Sequence, residues 1–293
     1  MKTISSYQVA DILGVNISTL KRWTDSGKIS CEKTAGGHRR FTLKNIRDYY
    51  HSNGKLSSDL GSGFSKDSSD NILKLIESRN FKRLATHVAN YSLKSDYQTI
   101  YTIISGLYMI NVPIEELLDF VIEPASIKIE DFLKDGKISH PEAYMARNLI
   151  TRSTNTLLIN PDRVNSFDKS ALCVNFENNI PDLGVVMAEV LLSNQGYNVY
   201  NTGSHAKLGN LKNLIFKKNI NMMLFYLCDQ QCCNAVISEH ITKTEEQIKE
   251  LIVFSKSLGV KIYFGGEGLK LLPKVQSEIE FKFLTFHELK SIL

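Results

Sequence analysis

No apolar run in this sequence approaches the ~18–20 residues needed to cross a bilayer, so no membrane partner is expected. The opening residues, Met1 to Gln8, lack the charged-then-apolar pattern of a secretory leader, and the chain reads as cytoplasmic. Cysteine is scarce and odd in number: Cys31, Cys173, Cys228, Cys232 and Cys233. That count gives no disulfide framework. Cys228-x3-Cys232-Cys233 lacks the paired C-x2-C spacing of structural zinc, so these are read as ordinary thiols beside a strand end and no metal is expected. Also missing are G-x-S-x-G, a Walker-type loop and H-E-x-x-H. Glu115-Glu116, Glu245-Glu246 and the acidic residues of 130–135 fall in stretches read as helical and solvated. Phe264-Gly-Gly-Glu-Gly268 is glycine-rich but lacks the full dinucleotide fingerprint. No enzymatic activity is expected.

What is present is unevenly distributed. The 293 residues carry a net charge of +4. Residues 1–55 hold ten Lys and Arg against four Asp and Glu, a net of +6, which leaves −2 for the remainder. A basic head on a near-neutral body is the footprint expected of a DNA reader. The boundary is a Ser-, Gly- and Asp-rich stretch, 53–71, that buries little apolar surface and is expected to be a flexible linker.

Beyond it, residues 72–165 show apolar residues at helical spacing. Ile72, Leu73, Leu75 and Ile76 open one face, and Ile100, Ile103, Ile104, Leu107 and Tyr108 another. Pro113 marks a helix start, and a further helix begins near His140-Pro141-Glu142. A helical bundle is expected. From about 168 the period changes. Strand candidates at 171–176, 197–200, 222–227, 260–264 and 281–284 alternate with helices at 184–194, 208–218 and 244–258. Such alternation implies a parallel, Rossmann-like sheet with helices on both faces. Ligands of such sheets sit at the carboxyl ends of the strands. The expected fold class is therefore multi-domain, α plus α/β. A winged helix-turn-helix occupies 1–52, the central bundle 72–165 and the α/β domain 168–293.

The head carries the sharpest local signal. Val9, Ala10, Ile12 and Leu13 lie on one side of a short helix, and Gly14 permits a tight turn. Asn16 is a suitable N-cap for a second helix, Ile17 to Ser26. Ile17, Leu20, Trp23 and Thr24 can pack inward, leaving Ser18, Thr19, Lys21 and Arg22 to face out. Gly27 closes that helix. Gly36-Gly37 makes a hairpin tip, and His38-Arg39-Arg40 follows on the returning strand, a wing able to reach phosphates. Phe41 anchors the wing and 43–50 form a third helix.

Val9-Ala-Asp-Ile-Leu-Gly-Val15, Ser18-Thr-Leu-Lys-Arg-Trp23, Gly27 and Gly36-Gly-His-Arg-Arg-Phe41 together resemble the DNA-binding domain of the MerR family. The resemblance covers nearly all of 3–50. It implies dimers on palindromic double-stranded operators, with Ser18, Thr19, Lys21, Arg22, His38, Arg39 and Arg40 as DNA-contact candidates. Similar heads occur in excisionases and some serine recombinases. No recombinase catalytic pattern is found here, so regulation is preferred.

The body resembles that of the cobalamin-dependent, often light-responsive members of the same family. The resemblance there is architectural. It rests on Leu183-Gly-Val-Val-Met-Ala-Glu-Val-Leu-Leu192, Gly196-Tyr-Asn-Val199, Thr202-Gly203 and Gly265-Gly266. The chemistry-bearing positions depart from that pattern. Ending the family's D-x-H-x-x-G motif on Gly184 puts Asn179 at the Asp and Pro181 at the His, and proline offers cobalt no ring nitrogen. Aligning the bundle motif on Gly136-Lys-Ile-Ser139 puts Leu133 at its Trp and Ala143-Tyr144 at its Glu-His. His140 and His205 are read as surface or satisfied histidines, and Tyr144 as a core residue closing an emptied pocket. Asn179, Pro181, Gly184, Thr202, Gly203, Gly265 and Gly266 are thus read as a degenerate pocket, and no cofactor is expected, cobalamin included. The expected function is a sequence-specific transcriptional regulator independent of cobalamin. Its body forms a dimer or tetramer, or senses a regulatory protein or another small molecule. The alternative is a cobalamin- and light-gated repressor.

Overall fold

The structure is a computed structural model. It describes residues 4–13, 15–42, 45–46, 48–49, 52, 69–158, 169–175, 183–203, 208–227 and 241–293. Of the expected linker, 53–68 lie outside the described residues. Ser69 to Asn71 are helical, so the bundle starts three residues earlier than the apolar pattern indicates.

The head opens on a two-residue strand, β1 (Ile4–Ser5), followed by α1 (Ser6–Ile12) and α2 (Ile17–Asp25). Asn16 caps α2: its side-chain oxygen accepts the Thr19 backbone N–H at 2.9 Å and the Ser18 hydroxyl at 2.6 Å. An orphan N–H of the first turn is thereby satisfied. Strands β2 (Glu32–Lys33) and β3 (Arg39–Phe41) form the wing, and β3 also pairs with β1. Val9, Leu20, Phe41 and Ile46 are fully buried and close a small core. Of the expected third helix, the described residues 45, 46, 48 and 49 are helical.

The bundle comprises α3 (Ser69–Glu77), α4 (Phe81–Leu93), α5 (Tyr97–Met109), α6 (Ile114–Leu117), α7 (Glu123–Lys134) and α8 (His140–Thr154). Asn80 and Asp96 cap α4 and α5 through their side-chain oxygens. At the start of α8 the Glu142 carboxylate accepts from the Ser139 backbone N–H at 2.7 Å. Pro141 sits in that first turn, where a missing N–H costs nothing. Between α6 and α7 the chain passes through one π turn, Leu118–Ile122, which the apolar spacing did not foretell.

The α/β part follows the order β4 (Ser170–Val174), α9 (Leu183–Asn194), β5 (Asn198–Gly203), α10 (Leu208–Lys218), β6 (Met222–Tyr226), α11 (Ile241–Leu258), β7 (Lys261–Gly265), β8 (Phe281–Phe283) and α12 (Phe286–Ile292). All pairings are parallel and the sheet order is β5-β4-β6-β7-β8. The order reverses at β4, so the topological switch point lies at its carboxyl end. Side chains alternate between faces. Ala171, Cys173, Met222, Leu224 and Tyr226 join the core shared with α9 and the bundle. Leu172, Val174, Met223 and Phe225 join a second core under α10 and α11.

A stripe of carboxylates spaced four residues apart, Glu115, Asp119 and Glu123, docks the bundle onto the α/β part. Glu115 meets Lys290 Nζ at 2.6 Å. Asp119 accepts the backbone N–H groups of Phe286 and His287 at 2.7 and 2.9 Å, at the start of α12. Glu123 accepts the Tyr226 hydroxyl. Burial of the Asp119 carboxyl raises its pKa, against the lowering effect of those two N–H groups. Glu130 and Arg147 form an ion pair between α7 and α8 and are almost wholly buried. Glu115, Glu130 and Glu245 are thus buried, not solvated as their acidic neighbours in sequence suggested.

Candidate DNA interface and strand-end crevice

Lys21 and Arg22 are exposed on α2, with Ser18 one turn earlier, and Thr19 is half-buried beside them. The Ser18 hydroxyl is already engaged by Asn16. Behind this face Trp23 stacks on Tyr49, ring centroids 5.0 Å apart, and Lys28 Nζ lies 4.6 Å from the Trp23 ring. The cation–π contact holds one cation against the head's own aromatics.

The wing tip is closed by Gly37 N–H to Thr34 C=O at 2.8 Å and by His38 N–H to the Thr34 hydroxyl at 3.1 Å. His38 is exposed, whereas Arg39 and Arg40 are half-buried. Arg39 does not point freely outward. Its Nε donates to Thr24 Oγ1 at 2.7 Å and its Nη2 to Asp25 Oδ1 at 2.5 Å. The sequence counts Arg39 among the DNA-contact candidates, and here its guanidinium is engaged within the head. The signal for this in the sequence was Asp25, an acidic residue ending an otherwise basic helix. Cys31 lies nearby, its thiol pKa pushed up by burial against the opposing pull of Arg39 and Lys33.

The second site is the carboxyl edge of β4 and β5. Asn175, at the end of β4, is buried; its backbone N–H donates to Gly203 C=O at 2.8 Å. Its Oδ1 and Thr202 Oγ1 are both buried without a hydrogen-bond partner among the described residues. Asn175 was missed in the sequence because it lies inside an apolar strand candidate. A polar residue in a buried run was the available sign. On β5, Asn201 Nδ2 donates to Glu189 Oε2 at 2.6 Å, and burial raises the Glu189 pKa.

Three glycines of the degenerate pocket face the protein itself. A Cβ on Gly184 would overlap the Tyr226 ring, and one on Gly265 the Phe283 ring. Gly266, at φ +90°, faces the Leu227 carbonyl. Tyr226 in turn stacks on Phe286, centroids 5.4 Å apart. Tyr144 is 49% exposed, so it closes no core. His140 is exposed. Asn179, Pro181, His205 and the cluster Cys228, Cys232 and Cys233 lie outside the described residues. Among the described residues, no group of His, Cys, Asp and Glu could hold a metal ion, and no helix is long and apolar enough to cross a membrane.

Residues 8–41 match the family model described as MerR family regulatory protein. No curated protein matches the chain. Among solved structures, the monomethylamine corrinoid protein of Methanosarcina barkeri superposes with a TM-score of 0.52 at 14% identity, covering 74% of this chain and 98% of that one. The methanol:cobalamin methyltransferase complex of the same organism gives 0.31 at 15% identity, over 62% and 66% of the two chains. A cobalamin-binding protein from Desulfitobacterium hafniense gives 0.33 at 11%, over 69% and 92%. The last two superpositions are too loose to bear on the fold. The first, by fold alone, overturns the expectation that disfavours cobalamin for this body. Nearly the whole of a corrinoid protein shares this fold, so the missing histidine motif does not set the body apart from such proteins in architecture. The chain thus joins a MerR-like helix-turn-helix region to a body with the fold of a corrinoid protein.

Proposed function

We propose that the chain is a DNA-binding transcriptional regulator whose body senses a corrinoid. The observation that carries the DNA half is the joint exposure of Lys21 and Arg22 on the capped second helix, beside a wing tip bearing His38. A helix of this kind enters the major groove while its cations reach phosphates and the wing lies alongside. Two heads on two half-sites multiply the affinity of one, so a homodimer or tetramer is part of this reading. No catalysed reaction is part of it.

The corrinoid half is supported by the shared fold and by two buried oxygens at the strand ends that have no partner among the described residues. Unsatisfied buried polar atoms are costly, and Asn175 and Thr202 would gain partners from the amide-rich periphery of a cobalamin. Position 181 gives no bond to cobalt, because proline has no donor nitrogen. Gly184 and Gly265 would not serve as a cradle, since Tyr226 and Phe283 occupy that space. When bound, cobalamin would supply a cobalt centre whose ligand can be exchanged, a change that a sensor could register. The Tyr226–Glu123 hydrogen bond joins the end of β6 to the bundle and is one contact through which the strand ends would reach the helices.

The test begins with the full chain incubated in the dark with adenosylcobalamin, freed of excess by gel filtration and scanned in the visible region. Binding to its own promoter DNA is then compared with and without the corrinoid, in the dark and after illumination. A retained visible spectrum and a shifted DNA affinity are expected. A flat visible region removes the corrinoid half, and absence of duplex binding at low salt removes the DNA half.

A further inference from the structure

Arg39 stands in the row of cations that should meet DNA, yet its side chain is only 15% exposed and its guanidinium is already occupied. Two donors of its fork reach the last two residues of α2: Nε to Thr24 Oγ1 at 2.7 Å, Nη2 to Asp25 Oδ1 at 2.5 Å. The Thr24 hydroxyl donates its own proton to Lys21 C=O at 2.7 Å, leaving a lone pair for Arg39. Lys33, paired with Arg39 across the wing, lies 3.9 Å from the same Asp25 carboxylate. The ladder between β2 and β3 is two residues long, too short to fix its own direction in water. A planar fork bound at two points sets both distance and angle. Its charge is met by Asp25, so the counterions it can release to a phosphate are few.

We propose that Arg39 is a positioning residue, which with Thr24 and Asp25 locks the wing to the end of the recognition helix, and that Lys21 and Arg22 carry the phosphate contacts. The proposal rests on the DNA-binding reading for its consequence, but the lock itself is a property of the free protein. It assigns Arg39 a role opposite to that of Arg22: removal of Arg39 should disorder the wing without removing a phosphate contact.

Two measurements on the full chain decide it. The first is hydrogen exchange without DNA. Arg39→Ala and Asp25→Ala should each speed exchange of the Gly37 and His38 amides by about tenfold, the worth of one charged hydrogen bond. The exchanged pair, Arg39→Asp with Asp25→Arg, should restore most of the protection. The second is affinity for a short mixed-sequence duplex between about 50 and 200 mM salt, where the salt slope counts phosphate contacts independently of sequence. Arg39→Ala should weaken binding at every salt with the slope unchanged, while Arg22→Ala should lower the slope by about 1. Unchanged exchange in both single variants, or a slope that falls by about 1 in Arg39→Ala, overturns the proposal. If the unsubstituted chain binds no duplex, the regulator reading falls and the exchange measurement still decides the lock.

Discussion

In the head, Lys21, Arg22 and His38 stand exposed on a helix face and a wing tip. In the body, Glu115, Glu130 and Arg147 are buried, and each has an opposite charge beside it. The same residue types do different work in the two regions. Charge on a surface costs little to keep in water and is available for a polyanion. Charge taken out of water must be met inside the protein, and there it orients one element on another. Arg39 lies between the two cases, a cation of the head bound in the manner of the body.

The comparison is broken most severely by Arg147→Ala. It leaves Glu130 buried and unpaired, and a loss of about 3–5 kcal/mol is expected, read as a lower urea midpoint. Glu130→Leu with Arg147→Met should recover most of that loss, since the pair is replaced by apolar side chains of similar size. Recovery no better than the single variant would show that the pair contributes more than mutual neutralisation. Gly184→Ala is next. The new Cβ meets the Tyr226 ring, and overpacking should cost about 1–3 kcal/mol, visible in thermal denaturation and relieved by Tyr226→Ala. On the side of the head, Arg22→Ala should leave the melting temperature in place and move only DNA binding. A destabilised Arg22→Ala would mean that this cation too is held internally.

How much of this was legible beforehand differs by region. In the head, Asn16, Gly27 and Gly36-Gly37 act through local backbone geometry, so the helix-turn-helix and wing could be read from short windows. In the body, Glu115 looks solvated because its partner, Lys290, is distant in sequence. No periodicity joins such positions. The π turn at Leu118–Ile122 escaped for a related reason: its apolar residues suit an α-helix, and the widened turn accompanies docking on α12. Strand identity was legible, with β5 extending to Gly203 beyond the expected Tyr200.

The smallest effect expected is a matter of pH. Burial raises the Glu189 carboxyl above its ordinary value of 4.5, partly offset by the Asn201 hydrogen bond. The folded protein therefore holds this proton more tightly than the unfolded chain. The stability it contributes is full below the unfolded value and is lost as pH rises through the raised folded value. Glu189→Gln keeps an acceptor for Asn201 and removes the titration. Its melting temperature should gain on that of the unsubstituted protein as pH rises through that window, and lag as pH falls. Parallel curves would show that Glu189 is solvated.

The sequence by itself determined the winged head, the helical body and the alternation that makes a parallel sheet, because caps, turns and apolar periods act over a few residues. Only the tertiary structure decided which charges are free. It turned Arg39 back onto Thr24 and Asp25, drew Glu115 and Asp119 onto α12, and left Asn175 Oδ1 and Thr202 Oγ1 without partners among the described residues. Whether a polar group meets water or another residue depends on chain segments far apart in sequence. That is settled only when the elements pack.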